Sequence, residues 1–192
     1  MSDSRTRVSD ILRQLGIPDS HVDRCGLPLQ QECADLVDTE PDVFGRQPRL
    51  ASAAFAAWTL MKAAALGDGV ELQIVSAFRS IEYQRDLFLR KLARGDSLEG
   101  ILQVNAAPGF SEHHSGCALD VGTPGWPHLE ESFERSPAFA WLQANAGRFG
   151  FRMSFPRDNA AGVVYEPWHW CYNEKEGARA DGKANRKKEQ GV

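Results

Sequence analysis

Two short segments of the sequence, SEHHSGCALD at residues 111–120 and EPWHW at residues 166–170, carry most of the information about this chain. Between them they supply imidazoles, a metal-type carboxylate and a further glutamate. A catalytic zinc site needs three protein ligands of these types, a fourth position for water, and a base that deprotonates the water. The two segments therefore predict a catalytic zinc site built from distant parts of the chain.

The first segment is predicted to end in a short strand at residues 117–121. Successive side chains alternate between the faces of a strand, so Ala118 and Asp120 share one face. A small residue beside a carboxylate leaves room for an ion above that face. A histidine enters from the turn before the strand, and the spacing leaves His113 and His114 as competing ligands.

The second segment is predicted to lie in the last strand, at residues 163–172. Glu166 lies three residues before His169, which in a regular strand would put the two side chains on opposite faces. Pro167 cannot donate a hydrogen bond to a neighbouring strand and so favours a bulge or an edge. A kink at Pro167 would direct Glu166 and His169 toward the same ion.

The spacing of apolar residues predicts the other elements. Helices alternate with short strands, which indicates an α+β fold with helices packed on one face of a small, mainly antiparallel sheet. In the helix predicted to follow Ser80, we expect Tyr83, Leu87 and Phe88 to face inward. The predicted helices span about residues 8–15, 48–66, 81–93 and 137–149, and the first predicted strand spans 70–77.

A chain of 192 residues with 42% hydrophobic residues can bury one sizeable core. We predict that residues 1–47 form an N-terminal helix and an irregular extension packed on that core. Residues 48–172 are predicted to form the zinc-site domain. Residues 173–192 are almost devoid of large apolar side chains, and we expect them to be a disordered tail.

Charge and cysteine content limit the classes of function. The formal net charge is −4 and the pI about 5.7, which gives no basis for a nucleic-acid partner. The N-terminus has no apolar signal region and no segment predicts a membrane span, so we expect a cytoplasmic protein, and by default a monomer. The four cysteines form no Cys-x-x-Cys pair, and we expect reduced structural thiols.

At these segments the chain resembles the VanY-type D-alanyl-D-alanine carboxypeptidases. They belong to a group that also includes lysostaphin-like peptidases, D-Ala-D-Ala dipeptidases and the hedgehog signalling domain. The resemblance covers about residues 48–172 in the same order. The matching positions are Ser76, Arg79, Ser80, Gln84, Ser111, His113, Gly116, Ala118, Asp120, Trp141, Leu142, Ala146, Phe149, Gly150, Phe151, Ser154, Phe155, Pro156 and residues 166–170.

The resemblance implies one Zn²⁺ ion with three ligands, His113, Asp120 and His169. It also implies that Glu166 is the general base, since a glutamate beside the ion can remove a proton from water. The chain departs from the family pattern at Cys171, where the family commonly has arginine. That departure puts a supporting ion pair at this position in doubt, but it does not affect the ligand set.

Arg79 is implied to be a catalytic and substrate-binding residue, on either the developing oxyanion or the C-terminal carboxylate of a peptide. The alternative for this residue is a surface ion pair with Glu82 or Asp86. Gln84 and Ser111 are implied to support substrate binding. The alternative for Gln84 is an exposed helix position, and the alternative for Ser111 is a turn or cap residue.

The implied function is a zinc-dependent carboxypeptidase that hydrolyses the C-terminal D-Ala-D-Ala bond of peptidoglycan stem peptides. The alternatives are an L,D-carboxypeptidase, a D,D-dipeptidase or a phage-type endopeptidase with the same zinc chemistry, or a non-catalytic zinc-containing binding module. Glu166 favours catalysis, because a structural zinc site prefers four protein ligands and needs no base. The sequence has no Ser-x-x-Lys motif, which disfavours a serine carboxypeptidase.

Overall fold

The structure is a computed structural model that describes residues 2–173, so residues 174–192 of the predicted tail lie outside the described residues. Three 3₁₀ turns lie at Glu112–Ser115, Glu131–Arg135 and Ala146–Phe149. The helices and strands are, in chain order, α1 (Ser2–Gln14), α2 (Asp19–Arg24), β1 (Leu36–Asp38), β2 (Arg49–Ala51), α3 (Ser52–Gly67), β3 (Gln73–Ser76), α4 (Ile81–Ala93), α5 (Leu98–Val104), β4 (Ala118–Gly122), α6 (Pro137–Asn145), β5 (Phe151–Met153) and β6 (His169–Tyr172).

The centre of the fold is a four-stranded antiparallel sheet with the strand order β3-β4-β6-β5. Every residue of β4 is buried. Leu119 and Trp170 from the sheet join Trp58 of α3 and Leu142 of α6 in the main apolar core. Because α3 and α6 cover the face that carries these side chains, the alternate residues of β4 and β6 face the other way. The predicted α+β class is confirmed.

A second apolar cluster joins α1, α4 and α5, through residues such as Leu12, Phe88 and Ile101. Helix α4 begins at the predicted residue, and the Ser80 hydroxyl caps it by accepting a hydrogen bond from the Tyr83 N–H at 3.0 Å. This cluster anchors the start of α4. It therefore fixes the backbone that leads into the helix.

Tertiary contacts override the predicted helix limits in the first half of the chain. The helix predicted from residue 48 begins at Ser52, because Arg49–Ala51 pairs with Leu36–Asp38 as an antiparallel ladder. Helices α2 and α5 and strand β1 were not predicted, since each has seven residues or fewer and is too short to show a clear periodic pattern. Tyr83 is 44% exposed rather than buried, because the inward face of α4 passes through Gln84 instead.

The last predicted strand is shortened at its N-terminal end, from residues 163–172 to His169–Tyr172. Pro167 has no N–H to donate, and the Glu166 carbonyl accepts a hydrogen bond from the His169 N–H at 3.1 Å. The chain therefore turns at Pro167 before the ladder begins. The strand predicted at 70–77 is likewise shorter, and β5 was not predicted.

The helices between residues 2 and 173 lack the combination of length and apolar character that spanning a membrane requires. All four cysteines are free thiols in the structure. Of these, only Cys171 is fully buried.

Gly116 connects the turn at Glu112–Ser115 to β4 with a φ of +69°. An added Cβ would lie 3.0 Å from the Ala51 backbone nitrogen, whereas at Gly125 (φ +80°) no described atom beyond its two chain neighbours lies within 4 Å of an added Cβ. Gly125→Ala should lower the free energy of unfolding by about 1–2 kcal/mol, the cost of the left-handed backbone. Gly116→Ala should lower it by about 2–4 kcal/mol, because overpacking against backbone adds to that cost. Urea denaturation of both variants measures the difference, and equal losses would contradict the packing argument.

Candidate metal centre

The pairing of β4 with β6 brings two predicted ligands together, because Asp120 lies directly opposite His169. His169 Nδ1 lies 3.0 Å from Asp120 Oδ1. His113 comes from the 3₁₀ turn before β4, and its Nε2 lies 3.3 Å from the same oxygen. One ligand atom from each residue lies within 4.8 Å of the other two, and all three residues are buried. These separations are compatible with one ion held by three side chains.

Hydrogen bonds orient the two imidazoles. His113 Nδ1 lies 2.7 Å from the Ala77 carbonyl, which can only accept, so Nδ1 carries the proton and Nε2 the lone pair. That Nε2 is buried and has no hydrogen-bond partner among the described residues. His169 Nε2 donates to a Glu112 carboxylate oxygen at 3.0 Å, which leaves Nδ1 facing Asp120. His169 Nδ1 becomes an acceptor when it loses its proton, and the three ligand atoms directed at one point then fit a Zn²⁺ ion.

Burial and neighbouring charges set the protonation of these groups. Burial, with the Arg79 guanidinium, lowers the pKa of His113 to about 4, so this imidazole is neutral at pH 7. Burial opposes ionisation of Asp120, but the imidazoles of His113 and His169 outweigh it and hold the pKa well below its usual range. Burial also disfavours charge on His169, yet its hydrogen bonds with Asp120 and Glu112 raise its pKa to about 10. A ligand nitrogen must be unprotonated, so ion binding competes with that proton.

Glu166 lies beside this group but is not part of it. Its Oε2 is 3.8 Å from His169 Nδ1, and its side chain is 16% exposed. The turn at Pro167 brings the side chains of Glu166 and His169 to the same side of the chain. In a regular strand, their spacing of three residues would have placed them on opposite faces. Burial raises the pKa of Glu166 to about 7, against the opposing effect of His169. A carboxyl group with a pKa near neutrality can both accept and return a proton.

Arg79 lies at the edge of the group, with Nη2 3.6 Å from Asp120 Oδ2. The guanidinium is mostly buried, and its Nε has no hydrogen-bond partner within residues 2–173. The alternative ion pairs with Glu82 and Asp86 are not formed in the described structure, since both carboxylates contact other arginines. The guanidinium therefore keeps donors available for a ligand.

Gln84 and Ser111 line the same cleft and are buried. The Gln84 side-chain N–H donates to the Ala106 carbonyl at 2.9 Å, which fixes the amide orientation. Its Oε1 is buried without a hydrogen-bond partner among the described residues. The Ser111 hydroxyl does not cap the following turn. The exposed position is therefore not observed for Gln84, whereas Ser111 does begin the turn, because its carbonyl accepts a hydrogen bond from the His114 N–H at 3.0 Å.

The structure removes the ambiguity between the two adjacent histidines. His114 Nδ1 lies 2.5 Å from the Arg79 carbonyl, and its Nε2 accepts from the Gly109 N–H at 3.1 Å. Both of its nitrogens are thus committed to backbone, and it is not part of the ligand group. The sequence did not predict that His114 would bind the backbone through both ring nitrogens. It also did not predict the contact of Glu112 with His169. The available signal for Glu112 was a carboxylate adjacent to a predicted ligand.

The group opens into a cleft of about 800 Å³. Residues before position 47 contribute to the lining of this cleft, including His21 and Arg24 of α2. Residues 161–164 also line the cleft, and an added Cβ at Gly26 would lie only 3.0 Å from Ala161 Cα. The N-terminal extension therefore contacts the segment that leads to Glu166.

The comparisons with known proteins agree with this geometry. A family model described as VanY, D-alanyl-D-alanine carboxypeptidase, matches residues 47–175. A D-alanyl-D-alanine carboxypeptidase of Enterococcus faecalis is 32% identical over 120 residues, which are 57% of this chain and 42% of that protein. The chain spans about half or less of the length of the curated relatives that it matches.

Solved structures show the same fold. The LdcB LD-carboxypeptidase superposes with a TM-score of 0.67 at 28% identity, covering 81% of this chain and 77% of that one. A vancomycin-resistance D,D-pentapeptidase VanY in complex with Zn(II) superposes with a TM-score of 0.61 at 27% identity, covering 80% and 86%. The family match, which extends over most of the sequence and includes every residue of the His113–Asp120–His169 group, shows that the chain belongs to the VanY family of D-alanyl-D-alanine carboxypeptidases.

Proposed function

We propose that this protein is a zinc-dependent carboxypeptidase that removes the C-terminal D-alanine from D-Ala-D-Ala stem peptides of bacterial peptidoglycan. The observation that carries the proposal is the convergence of three ligand atoms in a cleft, with a buried glutamate beside them that is not a ligand. Three ligands and a separate base are the composition of a catalytic zinc site rather than a structural one. Family membership supports the choice of bond.

His113, Asp120 and His169 would hold the ion through Nε2, a carboxylate oxygen and Nδ1. When bound, zinc supplies Lewis acidity and lowers the pKa of a bound water from 15.7 to about 7. The three side chains are buried and mutually fixed, so they offer the ion a preformed site. With the ion bound in place of the His169 Nδ1 proton, both imidazoles would be neutral, and Asp120 would provide the negative charge that they lack.

Glu166 would take the proton from the attacking water and later give it to the amine of the departing D-alanine. Its position next to His169, and a pKa of about 7, suit both transfers. Arg79 would bind an oxygen of the substrate, either the scissile carbonyl or the terminal carboxylate. Its guanidinium lies at the ligand group with an unpaired buried N–H.

Gln84 and Ser111 would position the peptide. Gln84 lines the cleft, and its Oε1, which has no hydrogen-bond partner among the described residues, would accept from a peptide N–H or an ammonium group. We also propose the division into a chemical domain at 48–172 and an extension at 1–47 that shapes the cleft. The contribution of α2 to the cleft lining supports this division. The monomeric state and the cytoplasmic location stay predictions.

The second candidate is an L,D-carboxypeptidase, which removes D-alanine from a tetrapeptide rather than from a pentapeptide. The likeness to the LdcB LD-carboxypeptidase favours this candidate. Both reactions use the same ligands and base, so the difference lies in how the cleft receives the residue before the scissile bond.

Incubation of the purified protein with tripeptide, tetrapeptide and pentapeptide stems, with and without a chelator, tests the proposal. We expect D-alanine release from the pentapeptide, loss of release on chelation, and recovery on addition of Zn²⁺. Chromatography with chiral detection identifies the amino acid released. Release from the tetrapeptide alone would replace the proposal by the L,D reaction. Bound zinc without chelator-sensitive cleavage of any stem peptide would contradict an enzymatic function.

Replacement of the base tests its role separately from metal binding. Glu166→Gln keeps the side-chain shape but cannot accept a proton, so kcat should fall by about 10²- to 10⁴-fold. Zinc content, measured by elemental analysis, should be unchanged because Glu166 is not in the ligand group. The exposed Glu131→Gln is the matched control and should retain full activity. Wild-type kcat in Glu166→Gln would rule out this base.

A further inference from the structure

Glu112 lies between a predicted zinc ligand and a cation on the neighbouring strand. One carboxylate oxygen accepts the hydrogen bond of His169 Nε2 at 3.0 Å. The other lies 3.5 Å from Nη2 of Arg152 on β5. The Glu112 side chain is only 15% exposed. A carboxylate that is withdrawn from water in this way needs compensating partners, and these two groups are in contact with it.

The bond to Glu112 determines which His169 nitrogen faces the metal site. A neutral imidazole carries one proton, and either ring nitrogen can hold it. A carboxylate acceptor at Nε2 favours the tautomer with the proton on that atom, so the lone pair lies on Nδ1. Nδ1 is the atom that faces Asp120 at 3.0 Å. The outer partner of a ligand histidine thus sets both the tautomer and the ring orientation.

The strand register explains why the cation comes from position 152. Arg152 lies directly opposite Cys171, and directly paired residues point to the same face of a sheet. Cys171 also shares that face with His169, two residues earlier on β6. A thiol carries no positive charge that could balance Glu112. Arg152 supplies such a charge from the adjacent strand.

We propose that Glu112 is a positioning residue that fixes His169 as a zinc ligand through Nδ1, and that Arg152 holds Glu112 in place. The inference rests on the metal site proposed above, but its main test is ion affinity, which does not depend on the substrate. Because Cys171 pairs directly with Arg152, an arginine at position 171 would lie on the same face of the sheet. We therefore expect position 171 to be an alternative source of the charge.

Zinc affinity of the metal-free protein, measured by competition with a chelating indicator, tests the role of Glu112. Glu112→Ala should weaken zinc binding by about 10- to 100-fold. Glu112→Gln retains a neutral acceptor for the Nε2–H, so it should recover part of that loss. Thermal melting of the metal-free variants separates this effect from unfolding. A folded Glu112→Ala variant with wild-type affinity would overturn the proposal.

The ring-nitrogen NMR shifts of His169 test the tautomer directly. In the zinc-loaded wild type we expect the proton on Nε2 and the metal on Nδ1. The reverse assignment would overturn the proposed role of Glu112.

If stem peptides are cleaved, kcat should fall in Glu112→Ala while KM changes little, since the substrate contacts lie elsewhere. Unchanged zinc affinity in Glu112→Ala would refute the inference even if the protein cleaves stem peptides. The affinity test is equally valid if the protein cleaves no stem peptide.

The role of Arg152 is tested by exchange between the strands. Arg152→Met should weaken zinc binding by about two- to fivefold, because the guanidinium is partly exposed. The double variant Arg152→Met/Cys171→Arg should restore most of the affinity. Arg148→Met removes a nearby exposed arginine that contacts Asn145 instead, and it should have no effect. Equal affinities in Arg152→Met and Arg148→Met would show that Arg152 does not hold Glu112.

Discussion

The antiparallel pairing of β4 with β6 is the constraint on which the whole site depends. It places Asp120 opposite His169, and both face away from the apolar core that α3 and α6 form with Leu119 and Trp170. A shift of one residue in this register would turn the proposed ligands into the core and the core residues into the cleft. Burial of Leu119 and Trp170 therefore stabilises the same register that assembles the metal centre.

The second requirement is that each imidazole presents one particular nitrogen. In each imidazole, a hydrogen bond to the other ring nitrogen determines which one this is. The partner is a backbone carbonyl for His113 and a carboxylate for His169. His114, although adjacent to a ligand, binds backbone on both sides and supports the loop that carries Arg79. His113, His114 and His169 are the same type of residue. They differ in role because their side chains have different hydrogen-bond partners.

The sequence was informative where one short segment carries a complete pattern. The limits of α4 followed from the spacing of its apolar residues, and the ligand candidates followed from residue types that zinc requires. It was less informative where partners are distant. The β1–β2 pairing replaces the predicted start of α3, and the contact of Glu112 with His169 joins residues 57 positions apart. Single-sequence periodicity contains no information about such contacts.

The central claim is that two histidines and an aspartate hold one zinc ion with a coordination position left for water. X-ray absorption spectroscopy of the zinc-loaded protein tests it most directly. The account predicts one ion per chain, with nitrogen and oxygen ligands at about 2.0–2.2 Å, two of them imidazoles. A sulfur ligand at about 2.3 Å, or a third imidazole in place of water, would contradict it.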